Sequence, residues 1–223
     1  MISRLHYITQ DLLDFSHSEL AEFACRGGAD WVQLRVKHPH SGSPPKEEGE
    51  IHAAWLKIAE ETKRVCKKYG AKFIINDNVQ IAKKIGADGV HLGKDDMNPK
   101  EARKILGSNF IIGGSTNSME DVKRMIADGC DYIGIGPYRF TSTREKLNPI
   151  LGLEGMKKIA EQFGKHIPMI AIGGIKLEDV ERLLQTGIHG VAVSSAINLS
   201  ENKIESTKRF LASLGMTKAA MPL

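Results

Sequence analysis

Eight short apolar runs, most of them followed by a stretch with helical spacing, constrain this chain more than any other feature. The runs span residues 5–9, 31–36, 72–76, 89–92, 110–114, 132–136, 169–172 and 190–194. Helical spacing marks segments between and after them, such as 51–69, 99–106, 119–128, 153–163, 178–185 and 203–214. Parallel strands cannot be joined by a tight turn; they need a crossover, usually a helix. Strand then helix, repeated eight times, therefore predicts a parallel sheet covered by helices. Eight such units in 223 residues match one closed (β/α)8 barrel, which typically takes roughly 200–250 residues. An open doubly wound sheet is the alternative. Residues 1–215 are expected to form the single barrel domain, with 216–223 as a frayed tail.

A smaller pattern recurs within this frame: GAD–WVQLR, GAD–GVHLG, GCD–YIGIG and GIH–GVAVS. Each is a glycine at a helix end, a short turn and a buried strand. Gly28, Gly86, Gly129 and Gly187 suit the left-handed position that closes a helix. That repeat is structural. The chemistry is expected at the other end of each strand, because barrel active sites are built from the strand C-termini and the loops after them. There the sequence puts Gln33, Arg35 and Lys37, then Asn76 and Asp77, Asp95 and Asp96, Ser115, Thr141 to Arg144, Gly173 and Gly174, and Ser194 and Ser195.

These residues divide by chemistry. Gln33, Arg35 and Lys37 alternate with Leu34 and Val36, so a period of two puts them on one face. Polar groups pointing into a barrel are costly unless they meet an anion or water. Arg forks onto phosphate oxygens and Lys acts as a point charge. Asp77 and Asp96 follow neighbouring strands, which are spaced ~4.8 Å apart, so two carboxylates there can share one small cation. Mg²⁺ takes one or two carboxylates together with substrate phosphates. On physical grounds Asp95 competes with Asp96 for this role. Gly173 and Gly174 after the seventh strand, with Ser194 and Ser195 after the eighth, match the loops that hold a phosphate in many barrels.

Composition narrows the classes that remain. Hydrophobic residues make up 41% and charged residues 26%, an ordinary soluble balance. A net charge of +4 with scattered cations does not argue for nucleic acid. No run approaches the ~20 apolar residues of a membrane span, and the N-terminus has no apolar core of a signal peptide. Cys25, Cys66 and Cys130 form no CxxC motif, which favours a reducing, cytoplasmic setting; Cys66 and Cys130 are expected to pack rather than react. His38 and His40, in the Pro/Gly-rich loop 38–50, are expected to be solvated, and His91 to be a satisfied core histidine.

QLRVK, FIINDNVQIAKKIGADGVHLGKDD, GPYRFTSTR, IAIGGI and GVAVSSAI resemble, in order, the signature segments of thiamine-phosphate synthases. The resemblance covers nearly the whole chain. It implies a TIM-barrel transferase that condenses a pyrimidine diphosphate with a thiazole phosphate, or its carboxylated form, to give thiamine phosphate and pyrophosphate. It implies that Gln33, Arg35, Lys37 and Asn76 hold the pyrimidine diphosphate, with Ser115 a further contact. It assigns Asp77 and Asp96 to one Mg²⁺, which decides between Asp96 and Asp95. It matches Thr141, Ser142 and Thr143 to a segment that contacts the thiazole phosphate, and Gly174, Ser194 and Ser195 to its cradle. Arg144 stands where the family usually has Lys, with Lys146 nearby as a substitute point charge. Arg35, Lys37, Arg144 and Ser115 are the expected catalytic set. Small-molecule substrates are the expected partners, with no nucleic acid and no membrane, and a homo-oligomer is compatible with the sequence. A sister thiazole tautomerase carries a histidine after the glycine of strand six, where this chain has Pro137.

Overall fold

In the computed structural model, which describes residues 1–37, 48–140 and 149–216, eight strands close into one barrel in sequence order. The strands are β1 (Leu5–Ile8), β2 (Trp31–Leu34), β3 (Lys72–Asn76), β4 (Gly89–Leu92), β5 (Ile111–Thr116), β6 (Tyr132–Ile135), β7 (Met169–Ala171) and β8 (Gly190–Val193). Every pairing is parallel, and β8 closes the ring on β1 through Leu5 opposite Val191. Around them lie α1 (His17–Arg26), α2 (Glu48–Tyr69), α3 (Val79–Ile85), α4 (Pro99–Leu106), α5 (Met119–Ala127), α6 (Gly152–Phe163), α7 (Val180–Gln185), α8 (Ser195–Asn198) and α9 (Lys203–Ser213). The expected barrel is present. Gly28, Gly86, Gly129 and Gly187 all have positive φ, between 61° and 100°.

The two faces of each strand serve different layers, as a period of two requires. Tyr7, Val32, Ile75, Val90, Ile112, Ile133 and Val191 belong to the large cluster shared with helix residues such as Leu20, Val122 and Phe210. Ile8, Trp31, Ile74, Tyr132, Ile170 and Ala192 form a second cluster, the filling of the barrel itself. His6 stacks on Trp31 with centroids 4.2 Å apart and meets the edge of Tyr132 at 4.8 Å. Burial lowers the His6 pKa well below its ordinary value, with the neighbouring His91 adding to the effect, so this imidazole stays neutral. Each large side chain so buried contributes on the order of 1.5–3 kcal/mol. The filling is possible because its neighbours are small: a Cβ on Gly113 would sit 2.2 Å from Tyr132 Cζ.

Several strand ends differ from the sequence expectation, and two of them, those of β2 and β5, matter to the site. β2 stops at Leu34, so Arg35 and Lys37 stand in the loop beyond it. Their backbone N–H groups donate to side chains, Arg35 to Thr9 Oγ1 at 3.1 Å and Lys37 to Asp11 Oδ2 at 3.0 Å. Side-chain acceptors thus replace the strand ladder there. β5 runs on to Thr116 because Ser115 and Thr116 pair with Gly134 and Ile135, which puts Ser115 inside the strand instead of after it. The segment 178–185 also divides, into a 3₁₀ turn at Leu177–Asp179 and then α7.

The loop after β6 is tied at both ends. Asn117 Nδ2 donates to the Gly136 and Pro149 carbonyls at 2.8 and 2.9 Å, and Leu151 N–H donates to the Pro137 carbonyl at 2.9 Å. Asp121 holds Asn117 in turn, accepting its backbone N–H at 3.1 Å, and pairs with Lys94. Burial pushes the Asp121 carboxyl up, but the Lys94 ammonium and the Asn117 N–H together outweigh it and hold the pKa below its ordinary 3.8. A pKa lower in the folded than in the unfolded chain adds stability above the unfolded value, which is lost as pH falls through the folded value. Acidification below about pH 4 is therefore expected to lower the melting temperature of the wild type more steeply than that of Asp121→Asn. Thermal melts across that range check this.

Among the described residues, no helix is long and apolar enough to cross a membrane.

Candidate active site

The C-terminal ends of the strands surround a cavity of about 190 Å³. Of the residues singled out from the sequence, Gln33, Arg35, Asn76, Asp77, Ser115, Gly174, Ser194 and Ser195 line it. Lys37 and Asp96 are not among the lining residues; both lie further along loops that leave the same rim. Thr141, Ser142, Thr143 and Arg144, with Lys146, His38 and His40, lie outside the described residues.

On one side of the mouth, β2 and β3 bring Gln33 and Asn76 together. Gln33 is buried at 3% exposure and donates through Nε2 to Asn76 Oδ1 at 2.7 Å. That bond turns the Asn76 oxygen toward Gln33 and leaves its amide N–H groups as donors on the other side. Arg35 stands half-buried at the rim next to them. Asp77, the next residue after β3, is the one described non-glycine residue with positive φ, at 66°. Few residues other than Gly, Asn and Asp adopt this region, and backbone held there tends to mark functional sites. Its own N–H donates to the His91 carbonyl at 2.8 Å, which locks the end of β3 to β4.

Asp96 approaches from β4. Its Oδ2 accepts the Gly93 N–H at 2.5 Å, so the side chain folds back to the strand end, whereas Asp95 is exposed. Among the described residues no three or more His, Cys, Asp or Glu side chains cluster as a metal site. Mg²⁺ does not need such a cage, because it keeps waters and substrate phosphates as ligands beside one or two carboxylates. Two aspartates leaving adjacent strands, with Asn76 opposite His91 in register, fit that kind of site and not a closed protein cage.

The centre of the wall is a buried polar chain. Ser115 Oγ lies 2.9 Å from His91 Nε2, and His91 Nδ1 lies 3.0 Å from the Tyr132 hydroxyl. Burial raises the Tyr132 pKa well above its ordinary value, so the phenol keeps its proton. His91 is satisfied on both nitrogens, as expected of a core histidine, yet it also lines the cavity. Sequence reading missed that second role. A residue four places before Asp95 inside an apolar strand gives no local sign of it, and only Gly134 on β6, two strands away, where a Cβ would come 3.2 Å from His91 Cε1, hints at the space.

On the remaining side, β7 and β8 supply the small-residue loops. Gly173 and Gly174 have φ of 99° and 65°. A Cβ on Gly174 would lie 2.4 Å from Arg139 Cγ and 2.8 Å from the Phe140 carbonyl oxygen, so no side chain fits there. Ser194 and Ser195 follow β8 at half-buried positions. The wall between is apolar, from Ile8, Ile172, Ile175 and Ala192.

The thiols stand apart from this chemistry. Cys25, Cys66 and Cys130 are all free, and none lines the cavity. A hydrogen bond with Cys25 and burial push the Cys66 thiol up, and burial pushes Cys130 up to about 12. A thiol so held is protonated and a poor nucleophile.

Known proteins resemble this chain in sequence and fold. The family described as thiamine monophosphate synthase matches residues 5–197. A thiamine-phosphate synthase of Flavobacterium psychrophilum is 46% identical over 208 residues, covering 92% of this chain and 96% of that one. One from Bacteroides fragilis is 45% identical over 210 residues, covering 93% and 98%. A solved thiamine phosphate pyrophosphorylase from Pyrococcus furiosus superposes with a TM-score of 0.81 at 32% identity, covering 95% of each chain. With its barrel and its sequence in agreement, this chain belongs to the thiamine monophosphate synthase family.

Proposed function

We propose that this chain catalyses the thiamine-phosphate synthase reaction through the cavity residues described above, with Asp77 and Asp96 as the ligands of one Mg²⁺. The activity is a transferase reaction: a pyrimidine diphosphate and a thiazole phosphate give thiamine phosphate and pyrophosphate. The observation that carries the residue assignment is that one mouth holds two different anion-binding surfaces. Arg35, Asn76 and Asp77 suit a diphosphate with its cation. Gly174, Ser194 and Ser195 suit a monophosphate approached by backbone and hydroxyl.

The bond changes explain why no general base is needed. The bond between the pyrimidine's CH₂ carbon and the diphosphate oxygen breaks, and its electron pair leaves with the diphosphate. The thiazole nitrogen then uses its own lone pair to form the new bond to that carbon. The pyrimidine's amino group stabilises the positive charge left on the carbon, which favours a dissociative path. The protein's tasks are to neutralise the leaving group and to hold two substrates in line. Arg35 and Lys37 supply fixed positive charge to the leaving oxygens. Asn76, its oxygen taken by Gln33, offers N–H donors to the same group. Bound Mg²⁺ would supply Lewis-acid charge stabilisation there. Ser115, anchored by His91, contacts the pyrimidine. Thr141, Ser142, Thr143 and Arg144 complete the contacts in this reading, with Arg144 in place of the usual Lys. The apolar wall of Ile8, Ile172 and Ala192 keeps water from the reactive carbon. A cytoplasmic setting belongs to the same reading, supported by three cysteines that form no disulfide.

Mixing the full chain with both substrates and Mg²⁺ is expected to release one pyrophosphate per thiamine phosphate formed. Omitting either substrate is expected to stop release, and chelating the metal to suppress it. Pyrophosphate release without the thiazole would mean a hydrolase, and isomerisation of a thiazole tautomer without the pyrimidine would mean the sister reaction.

A further inference from the structure

Behind the Ser194 cradle lies a buried group that no part of the reaction uses. Asn198 ends the short helix α8 and is 1% exposed. Three neighbours fix which way its amide points. Nδ2 donates to the Ile8 carbonyl at 2.9 Å. A carbonyl only accepts, so the nitrogen must lie on that side. On the other side, Oδ1 accepts the Tyr7 hydroxyl. Tyr7 is 0% exposed, and burial raises its pKa well above the ordinary value, so the phenol has a proton to give. The second Nδ2 proton is then committed to Ser194 Oγ at 3.1 Å.

A serine hydroxyl has one proton and two lone pairs. With one lone pair taken by Asn198, Ser194 keeps its own proton for another acceptor. Gln10 Oε1 at 3.4 Å is the acceptor at hand, and that distance makes a weak bond. Phosphate oxygens are acceptors only, so a serine that meets them must present its proton and not its lone pairs.

We infer that Asn198 is a positioning residue which, anchored by Tyr7 and the Ile8 carbonyl, makes Ser194 a hydrogen-bond donor to the phosphate of the thiazole substrate. The inference rests on the reading of Ser194 as part of the thiazole-phosphate seat. Asn198 does not touch substrate; it sets the polarity of the residue that does. β8 ends at Val193, so Ser194 shares the inward face of Ala192. Tyr7 points outward from β1 beneath α8. The relay thus crosses from the helix layer into the cavity at the seam where β8 meets β1.

The test is a double-mutant cycle of Asn198→Asp and Ser194→Ala in the full chain. Aspartate is isosteric with asparagine but offers at most one proton where the amide offers two. With Tyr7 still donating and the Ile8 carbonyl taking that proton, Ser194 must donate backwards. Hydrogen bonds to charged groups bring each single substitution to a loss of roughly 10- to 100-fold. That loss is expected in KM for thiazole phosphate, with kcat little changed. KM for the thiazole alcohol, which lacks the phosphate, is expected to stay near the wild-type value. The double variant is expected to be no worse than Ser194→Ala alone, since the relay acts only through that hydroxyl. Losses that multiply, an equal loss with the alcohol, or an Asn198→Asp enzyme with wild-type KM would overturn the inference. Titrating inorganic phosphate into the same four proteins by calorimetry reads the cycle without turnover. A wild type that binds phosphate in this pattern but makes no thiamine phosphate would sink the proposed reaction and leave the relay standing. Melting temperatures of all four proteins separate loss of fold from loss of donor.

Discussion

Arg35→Ala is expected to lower turnover about 10²–10³-fold, the range seen when one preorganised charge-stabilising donor is removed, while far-ultraviolet circular dichroism stays unchanged. Both halves follow from where Arg35 sits. Its backbone is held by Thr9 Oγ1, a bond that alanine keeps. The side chain lines the cavity mouth, outside the packed layers, so little core is lost. What is lost, in the proposed reading, is a guanidinium that is always ionised and faces the leaving diphosphate. Arg35→Lys is expected to recover only part of the rate, because an ammonium cannot grip two oxygens as a planar fork does. Steady-state assays of pyrophosphate release measure the effect. Turnover within a few-fold of wild type would remove Arg35 from the mechanism.

Asp77→Asn is the second substitution with a large expected effect, about 10²-fold or more in turnover, because in the proposed reading it weakens the hold on the cation that neutralises the leaving group. Asparagine is the right choice here, because position 77 sits at φ 66°. Asp and Asn tolerate that conformation, whereas other side chains carry a steric cost of roughly 1–2 kcal/mol in it. An alanine variant would therefore mix lost chemistry with backbone strain, and the amide keeps the shape while removing the negative charge. If Asp77 is a metal ligand, raising the Mg²⁺ concentration is expected to restore part of the lost rate, since weaker binding is offset by mass action. Asp96→Asn is expected to behave in the same way, and Asp95→Asn to leave turnover unaffected. Equal losses at 95 and 96 would point to a general charge effect, not a coordinated ion.

Some of the site was legible because it obeys local rules. Gln33 and Arg35 were read from a period of two, and both line the cavity even though β2 ends between them. The paired glycines after β7 and the paired serines after β8 stand out in the sequence by their small size and strand-end position, and all four line the cavity. Choosing Asp96 over Asp95 was beyond spacing. It rests on the family resemblance; in the structure Asp96 turns back onto the Gly93 N–H while Asp95 is exposed. His91 is the instructive case. An imidazole inside an apolar strand reads as core, and it is buried at 6% exposure, yet the same ring forms part of the cavity wall. At the top layer of a barrel, the inward face of a strand is core and active site at once.

Local patterning in the chain determined the count of strands, and with it the closed barrel. Strand periodicity and helix-ending glycines act over a few residues and need no partner to be recognised. Which polar groups meet was decided by closure of the ring. Tyr7 and Asn198, 191 positions apart, share a hydrogen bond only because β8 returns to β1, and Ser115, His91 and Tyr132 come into line only because β4, β5 and β6 lie side by side. The direction of each hydroxyl and amide in the cavity depends on such contacts. Proton placement is fixed by all the neighbours of a group together, and in a barrel those neighbours come from distant parts of the chain.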